Sequence, residues 1–467
     1  MKYDSIREEP PIDVLLKYDG NIPRYTSYPP ANFFTQSPAE ADSEAMLLTS
    51  NQVGPENISL YFHIPFCPGR CLFCGCHTEI GRSGQFIKGY LETLSREFQL
   101  LLPYLDRSRP VTQIHFGGGT PNSVPLGALK KLMETAASEL NLSPSAEIAM
   151  ECDPSLMTLP KLRELRHMGF NRLSFGIQDL NSKVLQSVHR EPSHIPIQEL
   201  VTAARENGFT GVNLDLIYGL PFQTRESFSK TVNEIIEADP DRISLFPYAH
   251  VPWIKGHQAT LQAYPMPDAS TRLQIALDSR RSLLHAGYSA IGMDHFAKPG
   301  DDLAIAVQEG TLGRNFQGYC SQSRSGQVYA LGASGISQLY QGYLQNEKDL
   351  EAYEARVNTG YLPIRNGYRM TPQDIVVKSV ISELLCNNRV DLNQVLAGYE
   401  MDLDWKSDYQ AACLRRIAPL IEDGFATEEE GVVTITTSGF FLGRRIASAF
   451  DPLLSRETSP LLYSKAV

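Results

Sequence analysis

Four of the chain's eight cysteines fall within ten residues of one segment, YFHIPFCPGRCLFCGCHTEI, which runs from Tyr61 to Ile80. Cys67, Cys71, Cys74 and Cys76 give the spacing C-x3-C-x2-C-x-C. Such a group of thiols serves a disulfide knot, a zinc site or an iron–sulfur cluster. Stable disulfides belong to oxidising compartments. Structural zinc usually takes two separated ligand pairs, and no second C-x2-C or H-x3-H pair follows at the expected distance. Soft thiolates crowded on one short loop suit a cuboidal iron–sulfur cluster. Three of them would leave one iron without a protein ligand and open to a small molecule.

The loop follows a short apolar run, and similar runs recur down the chain. Strands are expected at SLYFHI from 59, VTQIHFG from 111, AEIAMECD from 146, RLSFGIQ from 172, GVNLDLIYG from 211 and RISLFPYA from 242. Between them lie helix-period segments such as FIKGYLETLSREFQLL, LGALKKLMETAASEL and RESFSKTVNEIIEAD. This alternation predicts a parallel sheet built by right-handed βα crossovers. Polar or glycine-rich stretches sit just after the strands: the cysteine loop, then GGGT, ECDP, FGIQD, LIYGLP and FPYAH. In α/β barrels that edge carries the chemistry, because its loops converge on one cavity. Six units fall two short of a closed eight-stranded barrel. The expected fold is therefore α/β, with an open, partial (βα)6 barrel.

A C-x3-C-x2-C loop after the first strand with GGGT after the second resembles the radical S-adenosylmethionine (SAM) enzymes. The segments PRYTSYP, YFHIPFC, CGC, IHFGGGTPN, FNRLSFGIQD, NLDLIYGLPFQT, PDRISLFPYAH, GMDHFA and RNFQGY, in that order, are similar to the oxygen-independent coproporphyrinogen III oxidase family of haem biosynthesis. The resemblance implies that Cys67, Cys71 and Cys74 hold a 4Fe–4S cluster whose fourth iron chelates SAM. It further implies two SAM molecules, the first met by Tyr61, Gly118 and Glu151, the second by Gly119, Thr120, Gln178, Arg190 and Asp215. Ala249 and Ile336 match apolar positions beside the adenosyl portions. Cys76 is implied to face the pocket as a non-ligand, with His63, His295 and Gln317 near the substrate. The local alternatives are a tight turn for Gly117–Thr120, a core histidine for His63, and strand-end residues bonded to nearby loops for Gln178 and Asp215.

The implied reaction is oxidative decarboxylation of the ring A and ring B propionates of coproporphyrinogen III to vinyl groups, giving protoporphyrinogen IX and consuming two SAM. An electron donor and an acceptor, both unidentified, complete it. Two other functions fit parts of the pattern: a haem-binding carrier of the same superfamily, or a paralogue acting on another tetrapyrrole. Three departures bear on the latter: Gly313 stands where the family usually has histidine, Cys320 where threonine is usual, and Pro247 where asparagine is common.

Composition sets the frame. The 467 residues, 42 % hydrophobic and 20 % charged, suit a globular protein of two or three domains. A net charge of -11 argues against general nucleic-acid binding. The N-terminal stretch lacks the pattern of a secretory signal, and no run is long enough for a membrane helix, so a cytoplasmic monomer is expected. An anionic substrate on an acidic chain needs local positive charge, for which Arg24, Arg70 and Arg314 are the candidates. The expected divisions are an N-terminal arm over 1–55, a radical SAM catalytic domain over 56–365 with its barrel core at about 56–250, and a mainly helical, winged-helix-like domain over 366–467. Glu428, Glu429 and Glu430 at that domain's hairpin would repel phosphate, so a packing or covering role is expected of it. The PRYTSYP arm is expected to serve as part of a lid.

Overall fold

The computed structural model describes residues 12–36, 40–456, 463 and 465. All six expected strands form: β1 (Ile58–Ile64), β2 (Pro110–Gly118), β3 (Asn141–Cys152), β4 (Arg172–Gln178), β5 (Gly211–Tyr218) and β6 (Arg242–Pro247). They lie side by side in chain order, and each neighbouring pair is parallel. Helices Gly84–Leu101, Leu126–Glu139, Leu159–His167, Ile197–Glu206 and Arg225–Glu237 supply the crossovers. Ser83, Thr158 and Thr224 start three of them by accepting a backbone N–H on the side-chain oxygen.

Residues of a strand alternate between two faces, and here the two faces differ in chemistry. Leu60 and Phe62, Ile114 and Phe116, Leu173 and Phe175, Val212 and Leu214, and Ile243 are all fully buried in one apolar core, shared with helix residues such as Leu94 and Phe98. The intervening residues are polar: Gln113 and His115, Glu147 and Glu151, Arg172 and Ser174, Asn213 and Asp215, Arg242 and Ser244 line a cavity of about 220 Å³. Near the start of the strands an ionic group closes that cavity. Arg172 pairs with Glu147 at 2.8 Å and with Asp301 at 3.4 Å, and Arg242 pairs with Asp301 at 2.8 Å. Burial pushes the Glu147 carboxyl up, but Arg172, Arg242 and Arg324 outweigh it and draw it down to about 2.

The sheet is wider than expected, with 13 strands instead of six. Gln327–Leu331 runs parallel to β1 on its outer side, followed by antiparallel Ile336–Leu339, Gly342–Asn346 and Ile364–Arg369, with Thr35–Gln36 at the edge. Beyond β6 lie His295–Ala297 and Ser289–Ile291, both antiparallel. The sheet order is open, with no pairing between its two ends among the described residues. These added strands are two to six residues long, too short to show a period of their own. Glu97 ties the extension to the first crossover helix. Its carboxylate accepts from Gly332 N–H, Asn346 Nδ2 and the Tyr353 hydroxyl at 2.7, 2.6 and 2.5 Å.

The C-terminal region is helical, as expected, with a small three-stranded sheet. Pro372–Asn387 begins at a capping box made by Thr371 and Asp374. Leu403–Glu422 follows, and strands Arg389–Asp391, Val432–Ile435 and Ala426–Glu429 complete the unit. The hairpin turns through Glu430 and Gly431, both at positive φ. PRYTSYP forms no strand, in keeping with its prolines, yet it is no loose tail. Leu15, Tyr18, Tyr25 and Tyr28 are buried in the same core as the C-terminal helices. Residues 1–11 and 37–39 of the expected arm lie outside the described residues. No helix among the described residues is long and apolar enough to cross a membrane.

Candidate active site

The cysteine loop leaves β1 at the C-terminal edge and is pinned from several sides. Glu79 N–H donates to the Pro65 carbonyl and Leu72 N–H to that of Val188. His257 and Lys255 reach the carbonyls of Cys74 and Cys76, each at 2.9 Å. All eight cysteines are free, so no disulfide knot forms. Three of the loop sulfurs receive donors: the Thr120 hydroxyl on Cys67 at 3.2 Å, Arg190 Nη1 on Cys71 at 3.8 Å, and Cys76 N–H on Cys74 at 3.4 Å. Burial raises Cys67 to about 11 and also raises Cys71, whereas the hydrogen bond from the Cys76 thiol draws Cys74 down to about 6. Cys76 itself is exposed. The other four cysteines are buried and scattered.

Do these residues fit an iron–sulfur cluster that binds a small polar cofactor? Among the described residues, no three His, Cys, Asp or Glu side chains converge as ligands of one ion. Next to the loop, Gly119 and Thr120 donate their N–H groups to the carbonyls of Ile64 and Phe66 at 2.8 and 2.9 Å. A Cβ on Gly119 would stand 2.7 Å from the Pro65 carbonyl, and one on Gly118, where φ is +113°, would stand 2.4 Å from the His63 ring. The cradle therefore requires glycine at both positions. Gln178 Oε1 and Arg190 Nε, both buried around Gly176, with Arg190 reaching the Cys71 sulfur, have no hydrogen-bond partner in the protein. Orphaned polar atoms of this kind fit a bound polar group.

The residues expected to meet the first SAM form one connected set. Gly118 N–H donates to Glu151 Oε2 at 3.0 Å, and Glu151 Oε1 meets His115 Nε2 at 3.1 Å. Burial pushes the Glu151 carboxyl up, but His115 and the Gly118 N–H together hold it below its usual range. His115 stacks on Tyr61 with ring centres 5.8 Å apart, and the Tyr61 hydroxyl meets His63 Nδ1 at 3.2 Å. Burial lowers His63 to about 4, so the ring is neutral at ordinary pH. Its Nε2 then donates to the His77 carbonyl, 3.2 Å away. Gln178, at φ +68°, and Arg190 both crowd Gly176, where a Cβ would meet Gln178 Nε2 at 2.6 Å. Arg190 is already engaged by Asp153 Oδ2 at 2.6 Å and by the Gly176 carbonyl at 2.7 Å.

Asp215 sits deeper, inside the barrel cavity. Burial raises its carboxyl, while Ser174 and Asn213 donate to it, each at 2.7 Å. Gln317 and His295 line the same cavity. Gln317 Nε2 donates to the Leu60 carbonyl at 3.1 Å, and His295 Nδ1 lies 2.7 Å from Asp294. Ala249 follows β6 and Ile336 opens its own strand. Neither lines this cavity.

A family model described as the radical SAM superfamily matches residues 61–235. The oxygen-independent coproporphyrinogen III oxidase of Synechocystis is 37 % identical over 456 residues, which are 97 % of each chain. That of Escherichia coli is 38 % identical, over 97 % of this chain and 98 % of its own. This chain belongs to the oxygen-independent coproporphyrinogen III oxidase family. The solved structure of the Escherichia coli coproporphyrinogen III oxidase, described as a radical SAM enzyme, superposes with a TM-score of 0.87 at 37 % identity, covering 96 % of this chain and 100 % of that one. Membership makes the chain an oxidoreductase that uses a 4Fe–4S cluster and SAM.

Of the departures from the family pattern, Gly313 and Cys320 face each other across the hairpin of Leu312–Asn315 and Gly318–Ser321. The next pair, Arg314 and Tyr319, lines cavities, whereas Gly313 and Cys320 line neither of the two. Only Pro247 borders a cavity. Sequence reasoning overlooked His115, Asp153, Ser174 and Asn213. Their signal was available, because polar residues stand two apart within otherwise apolar strands.

Proposed function

We propose that this chain decarboxylates the propionates on rings A and B of coproporphyrinogen III to vinyl groups, giving protoporphyrinogen IX with consumption of two SAM. The observation that carries this reading is the loop of three free, donor-contacted cysteines at the C-terminal edge of a parallel barrel, in a chain similar to this family over 97 % of its length. Cys67, Cys71 and Cys74 hold the cluster. When bound and reduced, the cluster with SAM supplies reductive sulfonium cleavage and hence hydrogen-atom abstraction.

The protein's part is holding and shielding. Tyr61, Gly118 and Glu151 position the first SAM, Glu151 offering an ionised carboxylate to its polar end. Gly119, Thr120, Gln178, Arg190 and Asp215 serve the second, with Ala249 and Ile336 as apolar neighbours. Neutral His63 fixes the Tyr61 hydroxyl. Cys76 and Gln317 face the substrate side as the remaining catalytic candidates. The catalytic domain spans 56–365, while the PRYTSYP segment of the arm and the C-terminal unit that begins at 366 serve as a cover that keeps water from reactive species. A donor delivers the priming electron and an acceptor takes the one left after carbon dioxide departs. The chain acts as a cytoplasmic monomer.

Anaerobic reconstitution with SAM, reductant and coproporphyrinogen III tests this. Loss of two carboxyl groups by product mass is expected; SAM cleavage over unchanged porphyrinogen would reassign the substrate to another tetrapyrrole. Cys74→Ala should lose both iron and SAM cleavage, and retention of either contradicts its role as ligand.

A further inference from the structure

A second cavity, of about 170 Å³, opens at the C-terminal end of β5 and β6 beside the barrel interior. Three guanidinium groups line it, each from a distant part of the chain: Arg24 from the PRYTSYP segment, Arg314 from the RNFQGY hairpin and Arg444 from the helix Gly443–Ser448. Among the described residues, the one acidic side chain lining it is Asp294, which His295 already engages. Arg314 is held in place by the Tyr25 carbonyl at 3.4 Å and by the face of Tyr319 at 5.1 Å. Arg444 Nη2 donates to the Lys465 carbonyl at 2.9 Å. The remaining wall is largely apolar, with Phe440 and Phe441 prominent.

Like charges are not gathered in a partly desolvated cavity without cost. Burial and the neighbouring Arg24 push Arg444 down to about 10, and burial lowers Arg24 with Asp294 only partly offsetting it, whereas Tyr319 and Asp294 hold Arg314 above its usual value despite burial. An anion entering the cavity would relieve that repulsion. Phe246 lines both this cavity and the barrel cavity, and Asp294 and His295 bond to each other from the two sides, so such an anion would sit next to the barrel interior. The volume admits one carboxylate arm and excludes a four-ring macrocycle.

We propose that Arg24, Arg314 and Arg444 form a clamp for one propionate carboxylate of the substrate, and that the C-terminal unit thereby contributes a substrate-binding residue to the barrel. The proposal rests on the tetrapyrrole reading above. The carboxylate meets a fork of charged donors, while the ethylene stem and the pyrrole that bears it lie against the phenylalanines. The clamp is complete only when the arm, the hairpin and the last helix are docked together, which couples closure to occupancy by a carboxylate.

Fluorescence titration of the cluster-loaded protein with coproporphyrin III and with its tetramethyl ester tests the clamp. Arg444→Gln should weaken binding of the tetra-acid roughly 10- to 100-fold, leave ester binding unchanged, and be partly rescued by Arg444→Lys. Arg24→Gln should act in the same direction. An unchanged tetra-acid affinity in both variants, at wild-type iron content and melting temperature, would overturn the clamp, as would an equal loss for the ester. Wild-type protein that binds the tetra-acid through Arg444 but releases no carbon dioxide from coproporphyrinogen would leave the clamp standing and sink the proposed reaction instead.

Discussion

At the residue scale, Gly118 shows how backbone and side chains specify one another. Its φ of +113° is one that residues with a Cβ rarely adopt, and the space a methyl would fill belongs to His63. Its N–H is committed to Glu151, whose other oxygen meets His115. Gly118→Ala should therefore disturb His63 and Glu151 together without touching a cluster ligand. Near-normal iron content with SAM affinity reduced by at least about tenfold, measured by calorimetric titration, is the expected result. The GGGT stretch is visible in sequence as a close-approach loop. What it approaches is not, because His63 lies 55 positions away from Gly118 and meets it only through the β1–β2 register, in which His63 pairs with Gly117 and Ile64 with Gly118.

At the scale of elements, the barrel strands carry two codes at once. Their apolar faces make the helix-facing core, and that half was legible as β-branched and aromatic runs. The inward faces carry polar residues two apart, and the ionic group of Glu147, Arg172, Arg242 and Asp301 stands at one end of them. Breaking a buried pair strands its partner charge. Glu147→Gln should cost roughly 3–5 kcal/mol of stability, read from denaturant midpoints. Because Glu147 has a folded-state value of about 2 against an ordinary 4.5, its contribution is fully present above pH 4.5 and is lost as pH falls through about 2. The variant's stability should accordingly change less between those limits than that of the wild type, by up to about 3 kcal/mol.

For the whole molecule, joining the barrel to its added strands depends on Glu97. This carboxyl is fully buried, and burial raises it to about 7 despite three hydrogen-bond donors. The sign is opposite to that of Glu147. The stabilising contribution of the protonated form is fully present below about pH 4.5 and is lost as pH rises through about 7. Glu97→Gln keeps a neutral group of similar shape, so its unfolding midpoint should stay flatter than the wild type's between pH 5 and 8. A parallel decline in both proteins would remove Glu97 as the source. The same scale governs the arm, whose Tyr25 and Tyr28 complete the apolar core of the C-terminal helices, an arrangement that no local pattern announces.

By itself the sequence determined the six parallel strands, their crossover helices, the close-set cysteine loop after the first strand and the glycine cradle, since each is written in neighbouring residues or in a short period. Tertiary structure alone decided the seven further strands of the sheet, the union of the first and last segments in one core, and the meeting of Arg24, Arg314 and Arg444. The shared core, the arginine cluster and the pairing of Gln327–Leu331 with β1 bring together residues hundreds of positions apart, and the other added strands are too short to show a period. Each partner there is an ordinary short strand, tyrosine or arginine, with nothing local to mark the other.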